Sequence, residues 1–426
     1  MELKNRIFKR NNEIQPNDVF NPRGQYDKAM YISRPMYEKK FRSALLNDMC
    51  ILVHGQSGTG KTWLTRNVLE KEGFYYKPIN LALASNYKSI YECFRNTMIR
   101  ENWQIRTKYT ETKNTSIGVT GIANGGLSHV DEYTVVIDYF MEFLKFMSYR
   151  CKEKDKKRYI VFENFESIIG NETLIKELTN LITLIDDDEV AKYRTKFIII
   201  GATKDIHKYF SDLPNINTIE NRIFELPEVS TLTTGQSFEL IERGFKKLDI
   251  EFQTVDLLEK YKVGITRATG GVPQRLHELC LEISILCKDN SWVACEEFIE
   301  TAKKEWITTS LNKNYVSMTK ILSYDSSADS RRNQVIYCVA QKDKITFRSS
   351  EIDDDLKIEF PESMRKVSLV SSTKQLNELC KTYPPLLEKC KHTNEYSFID
   401  FKYALCLRAM LYKDCERVLK YDLGEI

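Results

Sequence analysis

Short apolar runs separated by helically spaced segments dominate the first half of the chain. MCILVHG, FYYKPINLA, RYIVFE and FIIIGAT are runs of strand length, bounded by Gly, Pro or charged residues. Between them, RPMYEKKFRSALLND, TWLTRNVLEKEG, residues 85 to 100, YTVVIDYFMEFLKFMSYRCKEK and NETLIKELTNLITLIDD repeat apolar residues at three- and four-residue intervals, which predicts helices. Strands alternating with helices of this length predict an α/β fold. Its parallel sheet carries helices on both faces over residues 31 to 228, after an extended, polar lead-in at residues 1 to 30.

The texture then changes three times. Within the α/β part, residues 113 to 130 mix small, polar and Gly residues, predicting a hairpin or loop inserted between regular elements. From 229 to 311 the pattern is helical throughout, in TLTTGQSFELIERGFKKL, VDLLEKYKVGITRATG, PQRLHELCLEISILCK and WVACEEFIETAKKEW. After the linker-like YDSSADSRRN, residues 312 to 426 carry the helix QVIYCVAQKD, a turn at Pro384 and Pro385, a short hairpin ending in EYSF and a final helix. That order predicts a winged-helix module.

Composition narrows the function classes without choosing among them. With 426 residues, 42% hydrophobic and 29% charged, the chain reads as a water-soluble protein of several domains. A formal net charge of +3 gives no bulk basicity, so contact with DNA requires a local patch. The segment from 313 to 426 holds 19 basic and 17 acidic residues, a near balance rather than a basic face. Its candidates for phosphate contact are Lys374, Lys381, Lys389, Lys391 and Arg408. The polar start, MELKNRIFKRNNEIQ, lacks the apolar core of a signal peptide, and no run is long enough to span a bilayer, so no membrane partner is expected. Eleven cysteines with no CxxC pair predict reduced thiols and a cytoplasmic location; Cys390 with His392 supplies too few ligands for zinc.

The chemistry concentrates in GQSGTGKT. Gly55, Gln56, Ser57, Gly58, Thr59, Gly60, Lys61 and Thr62 follow an apolar strand and open a helix that continues with Trp63. Glycines let the backbone wrap around phosphates so that several N–H groups point inward at the positive end of the helix. In such a loop the lysine reaches the β- and γ-phosphates and the threonine hydroxyl ligates Mg²⁺, so ATP and Mg²⁺ are the expected cofactors. YIVFENFE then supplies an acid at a strand end, Glu163, as the second metal-side ligand. Asn164 occupies the place where a general base ordinarily polarises water. An amide holds water but takes no proton, which predicts slow hydrolysis; Glu166 is either a substitute base or an exposed helix-start acid.

Three further residues have two readings each. Thr203, ending FIIIGAT, either lies beside the γ-phosphate or caps a strand. Arg222, before a short strand in NRIFELP, either reaches a neighbouring subunit's ATP or forms a surface ion pair. Arg275, in the first turn of the helix opened by GGVPQR, either touches the γ-phosphate or is solvated.

Taken in order, YISRP, GQSGTGKT, YIVFEN, FIIIGAT, NRIFELP, GGVPQR and EYSFIDFKYALCLR resemble the AAA+ ATPases of the initiator, origin-recognition-like type and the neighbouring STAND signalling ATPases, over about residues 20 to 412. The resemblance implies a P-loop core, a helical lid and a C-terminal winged helix, with Tyr31 and Ile32 packing near adenine. It implies a nucleotide-dependent switch forming a homo-oligomer, either binding DNA or recruiting a separate effector protein, as in defence against phage. Glu163–Asn164 departs from the usual acidic pair of that group.

Overall fold

The computed structural model describes residues 14–104, 108–114, 128–134, 138–153, 155–201, 219, 221–322, 331–342, 346–366, 371–390 and 393–421, with 108–114 and 128–134 as backbone. The chain divides into two compact units, residues 34–230 and residues 1–33 with 231–426.

In the first unit, strands β1 (Cys50–His54), β2 (Tyr75–Asn80), β5 (Arg158–Glu163), β6 (Thr195–Gly201) and β7 (Ile223–Glu225) form a sheet in the order β2-β5-β6-β1-β7. Every pairing is parallel. Successive side chains leave a strand on opposite faces, so a strand covered on both sides must be apolar throughout. Leu52, Ile160, Phe162, Phe197 and Ile199 enter one core, while Ile51, Val53, Tyr159, Val161, Ile198 and Ile200 enter the other. Helices α4 (Ile90–Arg100), α5 (Tyr139–Arg150) and α6 (Glu172–Leu184) cover the first face, whose centre is Phe94 stacked on Phe143 with centroids 4.8 Å apart. The other is covered by α1 (Pro35–Leu46) and α2 (Lys61–Lys71).

Most of the insertion expected at residues 113 to 130 lies outside the described residues; at its flanks β3 (Lys108–Asn114) pairs antiparallel with β4 (Ser128–Thr134), in register from Lys108–Thr134 to Asn114–Ser128. Two helix expectations are corrected. The helix expected from Tyr133 starts at Tyr139, because Asp138 accepts from the N–H groups of Phe140 and Met141 while Tyr133 and Thr134 belong to β4. The helix expected over 85 to 100 is two, α3 (Leu81–Tyr87) and α4, because Lys88 turns left-handed at φ 57° and Ser89 caps the second.

The second unit starts with a one-turn helix, Pro16–Val19, in the lead-in expected to be extended, and continues with helices α7 (Thr234–Lys247), α8 (Val255–Thr269), α9 (Pro273–Asp289), α10 (Phe298–Ser310) and α11 (Asn312–Thr319). The purely helical expectation misses the two-residue parallel pair β8 (Glu251–Phe252) and β9 (Val293–Ala294), which ends the WVACEE helix reading: Trp292 is left-handed at φ 66° and α10 starts only at Phe298. Beyond it come α12 (Arg331–Ala340), β10 (Thr346–Phe347), α13 (Ser349–Glu359), α14 (Thr373–Leu379), β11 (Leu387–Lys389) and β12 (Tyr396–Phe398), with the strands antiparallel in the order β10-β12-β11. Then follow α15 (Phe401–Met410) and a hairpin of β13 (Leu411–Asp414) and β14 (Arg417–Lys420), which the sequence pattern did not signal. Among the described residues, no helix is long and apolar enough to cross a membrane, and all eleven cysteines are free thiols.

Candidate nucleotide site

The loop after β1 is shaped by positive backbone angles that glycine alone adopts freely. Gly55, Gly58 and Gly60 have φ of 146°, 84° and 86°, and Gly60 is the left-handed N-cap of α2. Gly55 has a second constraint. A Cβ there would lie 2.5 Å from the carbonyl oxygen of Val229, whose N–H donates to the His54 carbonyl at 2.8 Å. The strand end is pinned further by His54, with Nε2 2.8 Å from Oε1 of Glu225 on β7.

Lys61 folds back over the loop it belongs to. Its Nζ donates to the carbonyl oxygens of Gly55 and Gln56, both at 2.8 Å, and the side chain is buried. Burial lowers its pKa to about 8, against the opposing fields of Glu166 and Glu228, which favour the charged form. The ammonium thus rests on neutral carbonyls where anionic oxygens would hold it far better.

Arg34 braces the same loop from outside and was missed in the sequence. Its buried guanidinium donates Nη1 to the Thr59 carbonyl at 2.7 Å and Nη2 to the Ser230 carbonyl, and it lies 5.0 Å from the ring centroid of Tyr37. The Tyr37 hydroxyl in turn meets Ser230, accepting from its N–H at 3.1 Å. The signal was weak: Arg34 precedes a proline, which marks a helix boundary and says nothing of a partner 196 residues away.

The second half of the site sits at the ends of β2 and β5, where Asn80 is the register partner of Glu163. Glu163 Oε1 accepts from Nη2 of Arg66, on α2, at 3.1 Å. Asn164 is left-handed, at φ 60° and ψ 47°, a conformation asparagine tolerates better than most residues. Its Nδ2 donates to Oδ1 of Asn80 at 2.9 Å, and that same oxygen accepts from the Ala82 N–H to cap α3. Asn80 and Arg66 were also missed. Asn80 stands where a strand turns into a helix, a cap signal that was readable; Arg66 carries none, because its partner is distant in the chain.

Gln56, Ser57 and Thr59 lie in the loop, with Thr59 buried and its hydroxyl donating to the Gln56 carbonyl at 2.8 Å; Thr62 and Trp63 follow on the first turn of α2. Glu166 is exposed, on the turn after Asn164. Arg222 pairs within its own unit with Asp186, at 2.7 Å. Thr203 lies outside the described residues. The remaining candidates belong to the second unit. Tyr31 and Ile32 are buried there, and the Tyr31 carbonyl accepts from Arg243 at 2.8 Å. Arg275 holds Glu278 through Nη1, 2.8 and 2.6 Å from its two oxygens, while the Trp306 indole also donates to Glu278 at 2.9 Å. Two glycines in left-handed conformations precede its helix, and a Cβ on Gly271 would meet the Leu232 carbonyl at 2.5 Å.

Of the candidates for DNA phosphates, Lys374, Lys381 and Lys389 are exposed, and Lys391 lies outside the described residues. Arg408 is corrected: it is buried, donating to the carbonyls of Ala340 and Lys342, so it anchors the fold instead of facing solvent.

The sheet order, the loop–helix after β1 and the acid ending β5 together make this an AAA+-type P-loop fold. The ORC2 protein of Aeropyrum pernix, solved with ADPNP and ADP, superposes with a TM-score of 0.51 at 13% identity, over 92% of this chain and 96% of that one. A Walker-type ATPase of Pyrococcus abyssi gives 0.48 at 16% identity, over 92% and 99%. The ORC1 protein of Aeropyrum pernix in complex with DNA gives 0.42 at 12% identity, over 93% and 96%. No family model and no curated protein matches the chain.

Proposed function

We propose that this chain binds Mg·ATP in the 55–62 loop, turns it over slowly, and acts as an ATP-controlled, self-associating regulator that contacts duplex DNA. The observation that carries the nucleotide reading is Lys61: a buried ammonium resting on two loop carbonyls at the N-terminus of α2. Triphosphate oxygens supply the negative charge that this arrangement lacks. Thr62 and Glu163 offer a hydroxyl and a carboxylate, the hard oxygen donors that Mg²⁺ takes, and these two would hold it. Held there, Mg²⁺ would supply positive charge against the phosphate oxygens.

Turnover is slow because Asn164 has no basic atom to take a proton from water, and its amide is engaged by Asn80. The DNA reading draws support from the second unit. The winged-helix reading of this part draws on helices α12, α13 and α14, a short helix at Pro361–Arg365 and the antiparallel sheet β10-β12-β11, with Lys374 exposed on α14. A signalling switch acting on a separate effector protein is the second reading, favoured by the burial of Arg408, which removes one cation from the proposed DNA face.

The test is fluorescence anisotropy of a labelled random duplex at two salt concentrations, without nucleotide, with ADP, and with a non-hydrolysable ATP analogue. Tighter binding with the analogue, weakening steeply with salt, is expected. Unchanged anisotropy in every state overturns the DNA reading and leaves the effector reading. Loss of analogue binding in Lys61→Ala is the control for the site itself.

A further inference from the structure

Arg66 is an unusual neighbour for a carboxylate that has to bind a metal ion. It sits on the second turn of α2, in the same helix as Lys61 and Thr62, and turns its Nη2 onto Glu163 Oε1 at 3.1 Å. Both side chains are largely shielded, 24% and 18% exposed, so solvent screens the pair only in part. The Arg66 Nε is buried without a hydrogen-bond partner, so the guanidinium is held at the acid with part of its donor capacity unused. One turn further along α2, at the i+4 position, is Glu70, which is exposed and accepts from the Tyr76 hydroxyl at 3.2 Å. Residues four apart on a helix are within reach of each other. Arg66 therefore has two carboxylates available, one inside the site and one outside it.

We propose that Arg66 is a built-in competitor for the divalent cation at Glu163, releasing the acid and swinging toward Glu70 when Mg·nucleotide enters. The inference rests on the nucleotide-site reading above. Two consequences of opposite sign follow. Without metal, Arg66 neutralises Glu163, so the carboxylate repels incoming phosphates less. With metal, the ion must displace a charge-assisted hydrogen bond before it can use the acid. The chain's own arginine thus lowers the advantage that Mg²⁺ gives to nucleotide binding.

Calorimetry with a non-hydrolysable ATP analogue, in EDTA and across a Mg²⁺ titration, reads this without any turnover. In Arg66→Leu, affinity in EDTA is expected to fall and the Mg²⁺ concentration for half-maximal tightening to drop. The ratio of the two affinities then grows about tenfold or more, the size of one charge-assisted bond. Arg66→Lys should restore part of the wild-type ratio. A uniform change in affinity with and without metal means that Arg66 only supports the fold, and overturns the proposal. Glu70→Gln removes the outer partner without touching the site, and it should raise the Mg²⁺ requirement; an unchanged requirement also counts against the proposal, even where Arg66→Leu fails to fold. Absence of analogue binding by the wild-type chain under every condition refutes the nucleotide reading instead.

Discussion

Nucleotide binding to this loop should take up a proton, and the amount is set by Lys61. In the free protein its pKa is lowered to about 8, chiefly by burial. A triphosphate beside the ammonium favours the charged form and returns the pKa toward or above its ordinary value. The complex therefore holds its proton more tightly than the free protein, so binding is accompanied by uptake wherever the free lysine is partly neutral. For a pKa near 8, the uptake is about 0.1 proton at pH 7, about 0.5 at pH 8 and about 0.9 at pH 9. Affinity weakens correspondingly, by about tenfold between pH 7 and pH 9. Titration calorimetry at pH 8 in two buffers of different ionisation enthalpy measures the uptake directly. Lys61→Arg, which stays charged throughout, should show none. Equal heats in the two buffers for the wild-type chain, or the same uptake in Lys61→Arg, would refute the argument that a depressed lysine faces the phosphates.

Two further outcomes follow from neighbouring geometry. Asn164→Asp places a proton acceptor at the end of β5 but loses the bond to Asn80, so its basal phosphate release should rise by at least about tenfold, short of the full gain of a well-placed base; an unchanged rate with nucleotide still bound would show that the amide is not what limits turnover. Phe94→Ala empties the centre of one sheet face, where the ring is fully buried against Phe143, and should cost about 3–5 kcal/mol in a urea titration of the first unit, with little change in the nucleotide affinity of protein that remains folded.

The features legible in the sequence were those encoded locally. A strand buried on both faces must be apolar along its buried length, so CILV and FIII announced themselves, and the loop glycines Gly58 and Gly60 sit at φ near 85°, which few other residues adopt. The start of α5 was misplaced because Tyr133 and Thr134 fit a helical period and a strand equally well, and the Asp138 cap decides between them. The pairings of Arg34, Arg66 and Asn80 were out of reach for a different reason. Each acts through a partner 25 to 196 residues away, and no periodicity records such a pairing.

Three sets of contacts within the chain explain more of the site than the motif does. Lys61 is satisfied by loop carbonyls, Glu163 by Arg66, and the Asn164 amide by Asn80. Each of these three groups therefore already has a partner from the chain itself. A ligand entering such a site exchanges bonds instead of adding them, so the net gain from each contact is the difference between two partners, about 1 kcal/mol for neutral groups and more where a charge is better matched. The largest difference is at Lys61, which trades neutral carbonyls for anionic oxygens; the smallest is at Asn164, where a water would have to compete with the Asn80 amide oxygen. That ordering favours an ATP-bound state that forms readily and is consumed slowly, which is the behaviour a regulator requires and a motor does not.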